Sequence, residues 1–230
     1  LSATTGSTVT ANPSSTSTYT VVGTDANGCT ASTQVTVNVN PLPVISVTPP
    51  PAICVGQQTA TLTASGATTY IWSPATGLSA TTGSTVTANP TSTSTYTVTG
   101  TDNNGCTAST QVTVNVNPLP VISVTPPPAI CVGQQTATLT ASGATTYVWS
   151  PATGLSATTG STVTANPTST STYTVVGTDN NGCTASTQVT VNVNPLPVIS
   201  VTPPPAICVG QQTATLTASG ATTYVRSEEH

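Results

Sequence analysis

The residues best able to do chemistry in this chain are six cysteines: Cys29, Cys54, Cys106, Cys131, Cys183 and Cys208. They fall into two series. Cys29, Cys106 and Cys183 are spaced by 106 − 29 = 77 residues, and Cys54, Cys131 and Cys208 keep the same interval. Thiols can hold zinc, carry out redox chemistry or form structural disulfides. Zinc takes four clustered ligands, and the one histidine, His230, is in the last five residues. A redox or catalytic reading of these thiols has less support than a structural one. Paired cysteines in a Thr-rich chain without Lys point to an oxidising compartment and to disulfides. Two pairings are open. Within a repeat, Cys54 joins Cys106 and Cys131 joins Cys183, leaving Cys29 and Cys208 unpaired. Across the linkers, Cys29–Cys54, Cys106–Cys131 and Cys183–Cys208 use all six.

Other side chains offer less. Asp25, Asp102 and Asp179 each stand at the head of an Asn/Gly turn. Calcium wants several oxygen ligands at close range, so one carboxylate per turn reads as an ordinary turn, and no metal is expected. Trp72 and Trp149 could stack on sugar rings, yet each alternates with a tyrosine, Tyr70 or Tyr147, along one strand face, which reads as core. Tyr96 and Tyr173 read as core or corner tyrosines. Catalysis fails on inventory: the repeats hold no carboxylate pair, His, Lys or phosphate-cradling loop, so acid–base and nucleophilic schemes lack members. The chain reads as non-enzymatic, without a cofactor.

Composition narrows the partners. Only 3% of residues are charged, against roughly 25% in a typical soluble domain. With Arg226 as its sole Lys or Arg, the chain has no basic groove for nucleic acid and no polybasic patch for anionic lipid. No stretch reaches the ~20 apolar residues of a membrane span, so no membrane insertion is expected. A disordered Thr-rich stalk would share this composition. The alternations Ala60-Thr61-Leu62-Thr63-Ala64 and Val112-Thr113-Val114-Asn115-Val116 argue against it, because a period of two marks a strand with one buried face.

The elements are set out by a repeat. Leu1-Ser2-Ala3-Thr4-Thr5-Gly6 recurs at Leu78 and Leu155, and the first two copies differ only at Ser14/Thr91, Val22/Thr99, Ala26/Asn103 and Ile71/Val148. A 77-residue period exceeds the roughly 20–45 residues of a solenoid coil and suits a small sandwich domain with its own core. The segments Asn40-Pro41-Leu42-Pro43, Asn117-Pro118-Leu119-Pro120 and Asn194-Pro195-Leu196-Pro197 deny ladder hydrogen bonds and stiffen the chain, as expected between domains. These boundaries predict complete repeats over 41–117 and 118–194, the C-terminal half of a repeat over 1–40 and the N-terminal half of another over 195–225. Residues 226–230, Arg-Ser-Glu-Glu-His, replace the Trp-Ser-Pro-Ala-Thr that the repeat requires. They read as a non-native tail resembling the translation of a sequencing adapter.

Within 41–117, strands are predicted over 44–48, 53–55, 59–64, 69–73, 84–89, 93–101 and 106–116. Ala60, Leu62, Ala64, Tyr96 and Val98 should face inward. Asp102-Asn103-Asn104-Gly105, all tolerant of positive φ, should form a hairpin turn.

Ile53-Cys54-Val55-Gly56, Tyr70-Ile71-Trp72-Ser73-Pro74, Gly77-Leu78, Thr95-Tyr96-Thr97-Val98 and Asp102 to Cys106 together resemble the Ig-like (PKD-like) tandem repeats of large secreted or cell-surface adhesin-type proteins of Bacteroidetes-type bacteria. The resemblance covers all but the last five residues. It implies an all-β fold of tandem Greek-key sandwiches, about seven strands each, strung like beads. It implies a Trp in the core and a first-strand edge running parallel to the last strand. Since Cys54 and Cys106 both open those strands, it favours the pairs Cys54–Cys106 and Cys131–Cys183, each on the order of 4 kcal/mol in the chain-entropy model. The implied function is a stalk or spacer on the cell surface or in a secreted protein. The alternatives are a multivalent module binding glycans or other cell-surface proteins, and accessory repeats of a large exported hydrolase. Near-identical copies suit the spacer, because reach is served by repetition. The half-repeats at the two ends are expected to promote self-association.

Overall fold

The computed structural model describes residues 1–210 and 212–227. Of the expected tail, residues 228–230 therefore lie outside the described residues. Two compact units divide the chain, Leu1–Pro118 and Leu119–His230, and among the described residues all regular structure is strand.

The first half-repeat is a hairpin, β1 (Ser17–Thr24) with β2 (Thr30–Val37). The complete repeat then supplies β3 (Ser46–Val47), β4 (Ile53–Cys54), β5 (Ala60–Ser65), β6 (Thr69–Ser73), β7 (Thr85–Ala88), β8 (Ser94–Thr101), β9 (Thr107–Val114) and β10 (Val116–Asn117). The second unit repeats the series as β11 (Ser123–Val124), β12 (Ile130–Cys131), β13 (Ala137–Ser142), β14 (Thr146–Ser150), β15 (Thr162–Ala165), β16 (Ser171–Thr178), β17 (Thr184–Val191) and β18 (Val193–Asn194). It ends with the hairpin of β19 (Ser200–Thr202) and β20 (Thr217–Ser219).

In the complete repeat one sheet has the order β3-β5-β7 and the other β6-β8-β9. The chain crosses between sheets from β5 to β6, from β6 to β7 and from β7 to β8, the Greek-key connectivity that the resemblance implied. β4 runs parallel to β10, with Ile53 opposite Val116 and Cys54 opposite Asn117. The first strand thus leaves its own sheet at Pro49-Pro50-Pro51, where proline cannot donate to a ladder, and resumes beside the last strand.

Thr and Val supply the β-branched side chains that fit a pleated surface, and alternation decides which of them go inward. β5 alternates buried and exposed residues along its whole length, with Ala60, Leu62 and Ala64 inside. β6 does the same with Tyr70 and Trp72. These side chains close one core with Ile53, Val86, Ala88, Tyr96, Val98, Val112 and Val114, and the second repeat builds its counterpart around Trp149 and Leu139. The half-repeats lack the opposing sheet. Leu216, the counterpart of Leu62, is 52% exposed where Leu62 is fully covered.

Polar atoms taken into the core find partners. The Trp72 indole N–H donates to the Gly83 carbonyl at 2.9 Å, and the Tyr70 hydroxyl both donates to the Ala67 carbonyl and accepts from the Ala67 N–H. The Tyr96 hydroxyl donates to the Thr76 carbonyl at 2.9 Å, as Tyr173 does to Thr153.

Burial raises the pKa of Tyr96 and of Tyr173 above the usual tyrosine value. A raised folded-state pKa means that their contribution to stability is complete below the unfolded value of about 10 and is lost as pH climbs through the folded value. Alkaline titration should therefore show tyrosinate absorbance from these two rings rising together with loss of native tryptophan fluorescence. Ionisation of all tyrosines while the fluorescence stays native would contradict this.

Candidate functional site

The cysteines occupy the two ends of each repeat. Cys54 sits in β4 opposite Asn117, at the end where the chain leaves the repeat. Its N–H donates to the Gln58 side-chain carbonyl at 3.3 Å. Cys106 lies in the turn between β8 and β9, at the end where the chain comes in. Ile45, which opens the repeat, reaches the same end: its side chain lies against Gly100, and Gly100 pairs with Ala108. The second repeat places Cys131 opposite Asn194 and Cys183 in the β16–β17 turn in the same way.

This arrangement corrects the expected within-repeat pairing. Cys106 and Cys131 are free thiols, as are Cys29 and Cys208, whereas Cys54 and Cys183 are disulfide-bonded. Neither Cys54–Cys106 nor Cys131–Cys183 is formed, and the six-cysteine alternative across the linkers is not formed either. The reason is register. β4 does run parallel to the last strand, but beside its end and not its beginning. Cys106 and Asn117 are 117 − 106 = 11 residues apart along an extended segment, on the order of 30 Å, while a disulfide brings Cα atoms within about 4.4–6.8 Å.

Asp102 organises the leading turn. Its carboxylate accepts from the backbone N–H of Asn104 at 2.8 Å and of Cys106 at 2.9 Å, and Asp179 does the same for Asn181 and Cys183. In the half-repeat the Cys29 N–H heads the causes that hold the Asp25 carboxyl below its ordinary value. The turns form the expected hairpins, β8 with β9 and β16 with β17, and within 102–105 only Gly105 has a positive φ, at +80°. The side chain of Asp102 thus does the work that left-handed residues would otherwise do. Asp102→Ala should cost about 1–2 kcal/mol, read as a lower denaturation midpoint. Asp102→Asn, which keeps the acceptor oxygen, should recover most of that loss.

No group of three or more His, Cys, Asp and Glu among the described residues stands close enough to hold a metal ion. Trp72 and Trp149 are each 1% exposed, so neither ring face is open to a ligand. Two clefts lie in the half-repeats. One is lined by Tyr19, Val21, Val35 and Val37 with Leu1 and Val9, another by Ile199, Val201, Leu216 and Tyr224. The counterparts of Tyr19, Val21, Val35 and Val37 in the complete repeat are the buried Tyr96, Val98, Val112 and Val114. These clefts are cores lacking their second sheet. No helix among the described residues is long and apolar enough to cross a membrane.

A search of the curated proteins found no match. Among solved structures, the chain is similar to a three-Ig-domain structure of titin, with 14% identity, a TM-score of 0.36 and 83% of each chain covered. It is similar to a Ca2+-stabilized, ice-binding adhesin of an Antarctic bacterium, with 12% identity, a TM-score of 0.41, and coverage of 80% of this chain and 59% of the other. A third is a C-terminal fragment of intimin in complex with the intimin-binding domain of its receptor, with 17% identity, a TM-score of 0.39, and 69% and 65% covered. The family comparison is decisive: the model of the Ig-like domain described as CHU_C associated matches residues 42–118 and again 119–195. With those two tandem matches covering most of its length, the chain belongs to the family of CHU_C-associated Ig-like domains.

Proposed function

We propose that this chain is part of the repeat region of a secreted or cell-surface, adhesin-like protein, and that its repeats, 41–117 and 118–194, act as spacers without catalysis. One observation carries the reading. The large side chains that could grip a ligand in a complete repeat, Tyr70, Trp72 and Tyr96, are consumed in the core with their polar atoms bonded. What each repeat presents to solvent is mostly Thr, Ser and backbone, and near-identical copies then add reach.

Proteins of one, two and four complete repeats test this by small-angle scattering. The longest dimension should grow by a constant increment per repeat, on the order of 35 Å from strand rise and loops. A dimension that stays flat as repeats are added would reject the spacer. The same proteins on a glycan array separate the reading from its rivals. Specific, saturable binding that strengthens with copy number would favour a multivalent binding module.

For the chain as it stands, the open half-repeats should also associate between copies, since each exposes the apolar face the other lacks. Sedimentation should show concentration-dependent mass. A strictly monomeric profile would count against that association.

A further inference from the structure

Each turn at a leading end carries an Asn-Gly step: Asn27-Gly28 in the first half-repeat, Asn104-Gly105 and Asn181-Gly182 in the complete repeats. At such a step the backbone nitrogen of the glycine can attack the side-chain amide before it, because glycine has no Cβ to crowd the five-membered ring that forms. Asn104 and Gly105 are both exposed, and a Cβ built on Gly105 would meet nothing within 4 Å. Water and base therefore reach the step.

The hydrogen bonds of the turn oppose the attack. The Gly105 N–H, which must lose its proton before its nitrogen is nucleophilic, donates to the Asp102 carbonyl at 3.2 Å. The Asn104 N–H donates to the Asp102 carboxylate at 2.8 Å. The turn is also braced from the β5–β6 loop, where the Thr68 hydroxyl donates to the Asn103 side-chain carbonyl and the Thr68 N–H to the Thr101 carbonyl, both at 2.9 Å. The second repeat repeats the set with Asp179, Asn180 and Thr145. In the half-repeat the turn keeps its own bonds, from Gly28 to the Asp25 carbonyl and from Asn27 to the Asp25 carboxylate. It lacks the brace, because Ala26 stands where Asn103 does. Its hairpin, β1 with β2, is a two-stranded sheet, and such a hairpin alone is marginal in water. The reaction needs the turn to open, and opening takes least free energy where the fewest contacts hold the backbone.

We propose that these Asn-Gly steps are sites of spontaneous deamidation whose rate the Asp102 turn controls, slow in a complete repeat and fast wherever a repeat is open. The Gly105 nitrogen gives its proton to solvent base and bonds to the Asn104 side-chain carbon. The carbon–nitrogen bond of the side-chain amide breaks, and ammonia leaves. Water then opens the cyclic imide at one carbonyl or the other, leaving aspartate or isoaspartate at position 104. Either product adds a negative charge beside Asp102, the sole acid of the repeat 41–117. Isoaspartate also lengthens the main chain by one carbon, which moves Gly105 and Cys106 off the two acceptors of Asp102. This goes beyond the spacer reading and stands whether the repeats space or bind.

The chain carries its own control, since one step occurs three times. The full chain is held dilute at mildly alkaline pH in 18O-labelled water, sampled over time, reduced, cut after tyrosine and weighed. Cleavage after Tyr19, Tyr96 and Tyr173 gives three peptides told apart by Ala26, Thr99 and Val176. Asn27 should convert fastest, Asn104 and Asn181 more slowly and at one common rate, and all three equally in strong denaturant. Asp102→Ala should speed conversion at Asn104 by roughly 5–30-fold, the change in opening ratio that loss of those bonds brings, and leave Asn181 unchanged. Asp102→Asn should bring Asn104 back toward its original rate. Equal native rates at all three sites, or no conversion even in denaturant, would overturn the proposal, as would an Asn104 rate indifferent to Asp102→Ala. Should the Asp102→Ala protein lose its native tryptophan fluorescence, the comparison of Asn27 with Asn104 in the unsubstituted chain decides alone. A failed spacer test leaves these rates untouched, so the two readings fail separately.

Discussion

Trp72→Ala unfolds the repeat 41–117 and leaves 118–194 folded. The indole is 1% exposed, in the middle of β6, with its N–H bonded to the Gly83 carbonyl. The chain has no Phe and no Met, so the rest of this core is Val, Ala, Leu, Ile and two Tyr, and nothing nearby can swing in to fill the space. Removing a buried Trp costs about 3–5 kcal/mol. A domain of this length has roughly 4–12 kcal/mol in total at ordinary stability per residue, and small domains sit low in that range. The loss is therefore comparable to the whole. The readout is built in, because Trp149 becomes the sole tryptophan and reports only on its own repeat. Denaturant titration should show the Trp149 transition at its unsubstituted midpoint, with the β-sheet circular-dichroism amplitude cut by about the share of one repeat. Full amplitude with an unchanged single transition would show that Trp72 is not the keystone of its core.

Much of this fold is legible in the sequence, for a physical reason. A strand buried on one face must alternate, so the inward set Ala60, Leu62, Ala64, Tyr96 and Val98 could be named before any coordinates, and all are buried. Trp72 follows from the same rule. The cysteine pairing was not legible in that way, because alternation reports a face and says nothing about which end of a neighbouring strand lies alongside. A signal did exist. Val44 opens the first strand and Cys106 precedes the last, both at the leading end. Counting ten residues along each reaches Cys54 and Val116, which is the level at which β4 and β10 pair. Two parallel strands that start together stay level, so Cys54 had to lie a full strand length from Cys106. The turn at Asp102 was half legible: the residue types identified a turn, but the carboxylate's two N–H bonds depend on a local geometry that several turn types could have supplied.

Gly66→Ala is the second substitution with a large expected effect, and its cause is backbone. Gly66 has φ of +98°, and a Cβ there would run into the Val44 carbonyl oxygen, with the Val44 carbonyl carbon at 2.9 Å. A backbone conformation that an L-residue rarely adopts costs on the order of 1–3 kcal/mol. Here a collision with another stretch of backbone adds to it, and no flexible side chain can move aside. The sum should be about 3 kcal/mol or more, enough to detach the leading segment at Val44 from the β5–β6 turn. Neighbouring glycines separate the two causes. Gly105 has φ of +80° with nothing within 4 Å, so Gly105→Ala carries strain alone, about 1 kcal/mol. Gly100 has no positive φ; its Cβ would meet the end of the Ile45 side chain, which can turn away, and the Ala67 methyl at 2.8 Å. Gly23 is the counterpart of Gly100 in the half-repeat, where nothing lies within 4 Å. Gly23→Ala should therefore be neutral or slightly stabilising, because Ala loses less backbone entropy than Gly. Denaturation midpoints should rank Gly66→Ala as the most damaging, Gly100→Ala and Gly105→Ala as intermediate, and Gly23→Ala as harmless. A Gly66→Ala protein as stable as Gly105→Ala would mean that the Val44 backbone gives way, and that the first strand is not held at its leading end.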